Sequence, residues 1–323
     1  MQVPDLYAAL DRLLNQIPPG RVATYGGLAR ALGDVAAARW IATYLLHEHA
    51  HHAECACHRV VRIGGDIGSY YSGNPDDKAR ALRREGISIH SGCADFDRFG
   101  FDTFETDFPL ALLRDSQQTV AQKVGGPPLM TVPRVVGGVD AAYLSPTEAV
   151  AAYALCDVAT GELVWSMTRR QAIRFPYIQN YLSFRELPAL LPLIDEVRAA
   201  GHLADVVLVD GNGRLHQRQA GIATHLGVAA DIRTVGVAKK LLCGDVDLAG
   251  LSAAEARPIL LNGVEIAAAM RAAARSNPIF ISPGYRIDLN LAATIVRQCF
   301  HGHRLPEPVH WAHTLANGAA RPV

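Results

Sequence analysis

The sequence predicts an α/β protein of two domains, with a helical first domain over residues 1–104 and a mixed-sheet domain over residues 105–323. Two observations carry that prediction. The first is length, because 323 residues exceed the usual size of a single domain. The second is a change of pattern. Up to about residue 86 short helical segments are punctuated by Pro and Gly, whereas from Arg134 onward apolar runs bounded by turn residues alternate with helical spacing. The run Val206–Val209 ends on Asp210 and is followed by Gly211-Asn212-Gly213, which reads as a buried strand with an acid at its C-terminal mouth. Open α/β sheets place their chemistry there.

Composition narrows the class. Half the residues are apolar (50%), enough to fill two cores, yet no run approaches the roughly 18 apolar residues of a membrane span. The N-terminus lacks a basic region followed by an apolar run, so a soluble, cytoplasmic protein with no membrane partner is expected, as a monomer. Six scattered cysteines do not resemble a disulfide framework and read as thiols in a reducing compartment. The net charge of +0 gives no global sign of a polyanionic partner.

In the first domain, Leu6, Tyr7, Leu10, Leu13 and Leu14 fall at helical spacing and the helix must stop before Pro18-Pro19-Gly20. Thr24 caps a short helix that Gly33 ends, and a second helix opens near Val35, giving a helix-turn-helix. Further on stand Cys57-His58-Arg59-Val60-Val61, Gly68-Ser69-Tyr70, Lys78 and Arg83-Arg84-Glu85-Gly86. In this order, over about residues 4–87, these segments resemble the C-terminal DNA-binding and active-site domain of the O6-alkylguanine-DNA alkyltransferases, which implies a winged helix-turn-helix-like fold. The resemblance implies Cys57 as the thiol that accepts an alkyl group, His58 as its base through a water, and Glu85 as the residue that orients His58. A thiolate is the nucleophile, and an ordinary thiol with a pKa of about 8.5 needs a base beside it. Arg39 is implied as the finger that enters the duplex, and Tyr25 as the side chain that presses on the target phosphate. Arg59 and Tyr70 belong to the same DNA-facing set. Base flipping costs a few kcal/mol, which such contacts offset. Position 56 is Ala where the family has Pro, and position 49 is His where it usually has Asn. A lesion-binding role without transfer therefore stays open. The tract from His47 to His58 is also rich in metal-ligand types, although its spacing fits no standard zinc module.

In the second domain, Arg134–Tyr143 reads as a strand with Asp140 inside it, followed by strand runs Ala149–Asp157 and Leu163–Met167 about a turn at Ala159-Thr160-Gly161. A helix is expected after Pro188, and a later strand Thr234–Val237 brings Lys239 and Lys240 to the edge reached by Asp210. A buried acid needs hydrogen bonds or a metal, and two carboxylates suit a hard cation such as Mg²⁺. Taken singly, an acid at a strand end reads as a turn former and a lone His as a surface side chain. Their joint order reads otherwise. Gly138-Val139-Asp140, Tyr181-Leu182-Ser183-Phe184-Arg185-Glu186, Val207-Leu208-Val209-Asp210-Gly211, Gly236-Val237-Ala238-Lys239-Lys240, Ser282-Pro283-Gly284 and Arg304-Leu305-Pro306-Glu307-Pro308 closely resemble endonuclease V over about residues 108–315.

That resemblance implies a ribonuclease H-like fold, with Asp140, Glu186 and Asp210 as catalytic carboxylates around Mg²⁺ (Mn²⁺ as a substitute) and His313 beside the metal. His216 and Lys239 are implied as supporting groups. Pro176-Tyr177-Ile178 corresponds to the wedge that replaces a flipped base, with Gln179 where the family usually has Pro, and Gly211 and Gly221 let backbone approach that base. The implied reaction is a nick at the second phosphodiester 3′ to deoxyinosine. Double- or single-stranded DNA carrying deoxyinosine or O6-alkylguanine is the expected partner, and inosine in RNA is a further substrate class among family members. A pair of lesion-binding modules without chemistry is the alternative.

Overall fold

The computed structural model describes residues 3–48, 55–125 and 131–320; His49 and most of the histidine-rich tract lie outside them. Two compact units are present, residues 1–114 with 175–179, and residues 115–174 with 180–323.

In the first unit, helix α1 (Leu6–Asn15) is capped by Asp5, whose carboxylate accepts the Ala8 N–H at 3.0 Å. It buries Leu6, Ala9, Leu10, Leu13 and Leu14, while Tyr7 packs edge-on against Trp40 and Tyr44. Strand β1 (Ala23–Thr24) leads into α2 (Tyr25–Ala31), with the Thr24 hydroxyl accepting the Gly27 N–H at 2.9 Å. The turn passes Gly33, where φ is +105° and a Cβ would lie 2.6 Å from the Ala111 nitrogen, so only glycine fits. The next helix, α3 (Ala38–His47), starts later than its sequence suggests, because Val35–Ala37 forms a 3-10 turn capped by Asp34. Strand β2 (Val60–Val61) pairs in parallel with β1. Helix α4 (Pro75–Arg84) follows, with Lys78 fully buried and its ammonium donating to the carbonyls of Val60 at 2.7 Å and Ile67 at 2.5 Å. That lysine fixes β2 to the following loop, and burial pushes its pKa down to about 8. A small hairpin, β3 (Ile89–His90) and β4 (Cys93–Ala94), and helices α5 (Phe96–Phe99) and α6 (Pro109–Gln122) complete this part of the chain.

The second unit is built on one mixed sheet. Strands β5 (Val135–Ser145), β6 (Glu148–Asp157) and β7 (Leu163–Ala172) form an antiparallel meander. Helix α7 (Leu182–Ala199) then returns the chain to β8 (Val206–Asp210), which pairs in parallel with β5. Helix α8 (Ile222–Ala230) leads to β9 (Arg233–Ala238), parallel to β8, and β10 (Arg257–Leu261), β11 (Val264–Met270) and β12 (Ile279–Tyr285) close the far side. The strand order is β10-β11-β12-β9-β8-β5-β6-β7, and helices α9 (Leu289–Gln298) and α10 (Glu307–Ala320) follow.

The two faces of the sheet are set by the two-residue period of its strands. Val139, Val207 and Val209 join the core formed with α7 and α8. Val136, Val206 and Leu208 join the opposite core, formed with α9 and Val309 of α10. One expectation fails here. Helix α7 begins at Leu182 and runs through Pro188 and Pro192 instead of opening after Pro188. Each proline forfeits a helical hydrogen bond, but the stripe Leu187, Leu190, Leu193, Ile194 and Val197 is buried, and that apolar burial outweighs the loss. Among the described residues no helix is long and apolar enough to cross a membrane.

Candidate active sites

In the first unit Cys57 and His58 lie on a 3-10 turn, Ala56–Arg59, and Glu85 caps the C-terminus of α4. The His58 Nε2 is 2.8 Å from Glu85 Oε1. Arg59 donates to the same carboxylate at 2.7–3.1 Å, and the Gly20 N–H donates to its Oε2 at 3.1 Å. Burial pushes the Glu85 carboxyl up, but the hydrogen bonds from Arg59, His58 and Gly20 outweigh it and hold the pKa down at about 2. Glu85 is therefore an anion with its counter-charges already in place.

Two features of this unit bear on what its sequence implies. Arg59, expected among the DNA-facing residues, directs its guanidinium to Glu85 and to the Ile17 carbonyl at 2.8 Å, so it braces the turn. The cysteines are not all free thiols, because Cys55 and Cys57 are joined as a disulfide. Cys55 is extended and the turn folds back at once, so the Cα atoms lie 5.2 Å apart and the Cys57 N–H points at Cys55 Sγ from 3.1 Å. Cys93, Cys156, Cys243 and Cys299 remain thiols. Tyr25 is the first residue of α2 and Arg39 lies exposed in the first turn of α3. Tyr70 stacks at a tilt on Tyr71, and burial raises its pKa.

In the second unit Asp140 and Asp210 are brought side by side because β5 and β8 are paired strands. Val139 is registered with Val209, so the next residue of each strand is the acid. By the two-residue period both acids fall on the α10 side of the sheet, and His313 of α10 meets them. His313 Nδ1 is 2.6 Å from Asp140 Oδ2 and 3.8 Å from Asp210 Oδ2. Lys239, at the end of β9, places its ammonium 2.6 Å from Asp210 Oδ2 and 3.5 Å from His313 Nδ1. The carbonyl of Lys239 is held by Arg304 of the Arg304–Pro308 segment. Burial, then the charge of Asp140, raises the Asp210 pKa against the opposing pull of Lys239. The hydrogen bond to Asp140 raises that of His313.

Asp140, Asp210 and His313 present ligand atoms within 4.8 Å of one another, the one such group among the described residues. Two carboxylates and an imidazole suit a hard divalent cation. The crowding of negative charge, partly offset here by the Lys239 ammonium, is the condition such a cation relieves. Glu186, expected among the ligands, stands outside this group. It lies in the second turn of α7, on the other side of the sheet, and its Oε1 accepts a hydrogen bond from the Tyr143 hydroxyl at 3.0 Å. Burial, and then the charges of Asp140 and Asp210, push its pKa up to about 8. The Arg185 guanidinium lies over the Tyr143 ring, 4.5 Å from its centre. Neither Tyr143 nor Arg185 was given a role from the sequence, although Arg185 adjoins Glu186 and Tyr143 lies three residues after Asp140.

His216 also stands apart from the acids. It is buried, its Nδ1 accepts the Arg218 N–H at 3.1 Å and its Nε2 lies 3.2 Å from the Asn180 carbonyl, which assigns the proton to Nε2. Burial pushes its pKa down to about 4, so it is neutral. Of the wedge segment, Pro176 and Ile178 are buried and Tyr177 is exposed. Gly211 and Gly221 are fixed by packing: a Cβ on Gly211 would strike Ile222, and one on Gly221 would lie 2.1 Å from the Asn212 carbonyl oxygen.

Known proteins resemble both parts of the chain. The endonuclease V family profile matches residues 118–314, and the profile of the 6-O-methylguanine DNA methyltransferase DNA-binding domain matches residues 5–87. The bifunctional methyltransferase/endonuclease of Picrophilus torridus is 31% identical over 313 residues, spanning 97% of this chain and 96% of that protein. Human endonuclease V has a similar structure, with a TM-score of 0.60, 32% identity, and coverage of 66% of this chain and 98% of that one. Ciona intestinalis endonuclease V, solved with a 24mer DNA containing an inosine followed by a ribo-adenosine, matches with a TM-score of 0.60 and 28% identity over 66% of this chain and 98% of its own. The chain belongs to the endonuclease V family and carries a 6-O-methylguanine DNA methyltransferase DNA-binding domain ahead of the nuclease.

Proposed function

We propose that the chain is a bifunctional DNA-repair enzyme. Its nuclease unit nicks inosine-containing DNA at the second phosphodiester 3′ to the lesion, with Mg²⁺ or Mn²⁺. Its first unit moves an alkyl group from O6-alkylguanine to Cys57. The observation that supports the reading best is the Asp140–Asp210–His313 group on one edge of an endonuclease V sheet, with Lys239 against it.

Asp140, Asp210 and His313 would hold the cation, and Glu186 would reach it from α7. The cation supplies activation of water and charge neutralisation at the scissile phosphate. Lys239 offers a positive charge where negative charge develops on that phosphate. His216, neutral and locked by Asn180 and Arg218, braces the loop after β8 and does not serve as a proton donor to the acids. In the first unit His58 draws the proton from the Cys57 thiol through a water, and Glu85 stabilises the imidazolium that results. The thiolate then forms an S–C bond to the alkyl carbon as the C–O bond to guanine breaks, and the guanine O6 takes the electron pair. Exposed Arg39 and Tyr177 are the side chains available to fill a gap left by a flipped base.

The test uses full-length reduced protein with Mg²⁺ and three labelled substrates: a deoxyinosine duplex, the same duplex with a ribonucleotide after the lesion, and an O6-methylguanine duplex. Nicking is read on a gel and Cys57 by peptide mass. A nick together with a methylated Cys57 is expected. A nick with unmodified Cys57 removes the transferase half of the reading, and no nick on either inosine substrate removes the nuclease half.

A further inference from the structure

The tripeptide Cys55-Ala56-Cys57 holds a second thiol against the residue assigned as alkyl acceptor. Cys57 is buried at 4% exposure, Cys55 is half-buried, and the turn between them brings the two sulfurs together. A disulfide that spans one intervening residue closes almost no loop, so it removes little entropy from the unfolded chain and does not staple the fold. Its consequence is chemical, because it occupies the acceptor sulfur. No other pair of cysteines is joined among the described residues. Cys156 and Cys299 are buried, and burial pushes both thiols up to about 12, away from reactivity.

We propose that Cys55 and Cys57 form a reversible oxidation site, with Cys55 as the resolving thiol that captures an oxidised Cys57 before it is oxidised irreversibly. The proposal rests on the reading of Cys57 as the nucleophilic acceptor, since the same thiolate that attacks an alkyl carbon attacks a peroxide. With hydrogen peroxide as oxidant, the Cys57 sulfur forms an S–O bond as the O–O bond breaks, and hydroxide leaves and is protonated to water. The Cys55 thiolate then attacks the Cys57 sulfur. The S–S bond forms, the S–O bond breaks, and a second water leaves. Two thiols and one peroxide give one disulfide and two waters. A dithiol returns both cysteines by exchange through a mixed disulfide. Small size is what the burial of Cys57 demands of the oxidant. Alkyl acceptance is thereby suspended under oxidation and recovered afterwards, while the carboxylate site of the nuclease has no thiol to lose.

The experiment compares the full chain with Cys55→Ser and Cys55→Ala, each reduced, treated with hydrogen peroxide, and then treated with dithiothreitol. Three readouts are taken at each stage: the mass of the peptide containing residues 55–57, methyl acceptance from an O6-methylguanine duplex, and nicking of a deoxyinosine duplex with Mg²⁺. The natural chain should lose two hydrogens from that peptide and lose methyl acceptance on oxidation, then regain both with dithiothreitol. Both variants should accept methyl when reduced, gain two or three oxygens at Cys57 under peroxide as sulfinic or sulfonic acid, and fail to recover with dithiothreitol. Nicking should stay unchanged throughout, which also reports that the chain remains folded. The proposal is overturned if oxidised natural protein carries added oxygen on Cys57 without the internal disulfide, or if the variants recover as fully as the natural chain. If reduced natural protein accepts no methyl group at all, the acceptor reading fails, and the peptide masses alone still decide whether Cys55 resolves Cys57.

Discussion

The carboxylates of the two units stand in opposite electrostatic conditions. Glu85 is surrounded by donors: His58, Arg59 and the Gly20 N–H all point at it, and its pKa is held down at about 2. Glu186 and Asp210 are surrounded by burial and by other acids, and their pKa values are raised. The first arrangement is complete without any further ion, and suits a site whose reactive atom is a sulfur. The second is incomplete as protein alone, and suits a site that a cation finishes. Two carboxylates of one chain are thus told apart by what already neutralises them, more than by residue type.

The largest test of this contrast is Asp210→Asn. Changes to the outer partners of a metal cost roughly 10–100-fold, so loss of an inner carboxylate should lower deoxyinosine nicking by at least about 100-fold, with methyl acceptance at Cys57 unaltered. Gel quantification of single-turnover nicking beside peptide mass measures both.

Glu85→Gln should do the reverse. It strips the charge from hydrogen bonds that are worth about 1.5–3 kcal/mol each when charged, so amide hydrogen exchange in α4 should accelerate and methyl transfer should slow, while nicking persists.

The pH dependence follows with opposite signs. Because the folded pKa of Glu85 lies at about 2, below its ordinary 4.5, its stabilisation is full above 4.5 and is lost as the pH falls toward 2. Glu186 has a folded pKa of about 8, so in metal-free protein its neutral form is favoured and stability is lost as the pH rises from 4.5 through 8. Mg²⁺ should reverse the second trend and leave the first. Local hydrogen exchange across the pH range, with and without Mg²⁺, would show this, and an unchanged alkaline limb on adding Mg²⁺ would count against a metal role for Glu186.

The smallest effect is expected from Tyr143→Phe. Removing the hydroxyl that Glu186 accepts from should raise the Mg²⁺ concentration for half-maximal nicking roughly tenfold, the lower end for an outer partner of a metal. Mn²⁺ binding followed by electron paramagnetic resonance should weaken in parallel, with Tm nearly unchanged.

Much of this was legible in the residues before any coordinates. The Thr24 cap, the meander from Arg134 to Met167, and the acid closing Val206–Val209 are local signals, each spread over a few neighbouring residues. Other features were not legible because they depend on partners far along the chain. His313 entered beside the acids only through a family resemblance, and no local signal gives its contact with Asp140 across 173 positions, which α10 makes by packing on the side of the sheet where Asp140 and Asp210 lie. Nothing beside Arg59 in the chain announces its pairing with Glu85, which only the position of Glu85 at the end of α4 supplies. Pro188 argued locally for a late helix start, and buried leucines overrode it.

The sequence by itself therefore determined which chemical groups are available and which short segments present them, since conformational preference and capping act between near neighbours. The tertiary structure alone decided how each charge is met: Glu85 by donors from two segments, Asp210 by Lys239, and Glu186 by the Tyr143 hydroxyl and the Arg185 charge among like charges. Coulombic and hydrogen-bond partners are set by distance in space, and that distance is fixed by strand register and by the side of the sheet on which a helix packs.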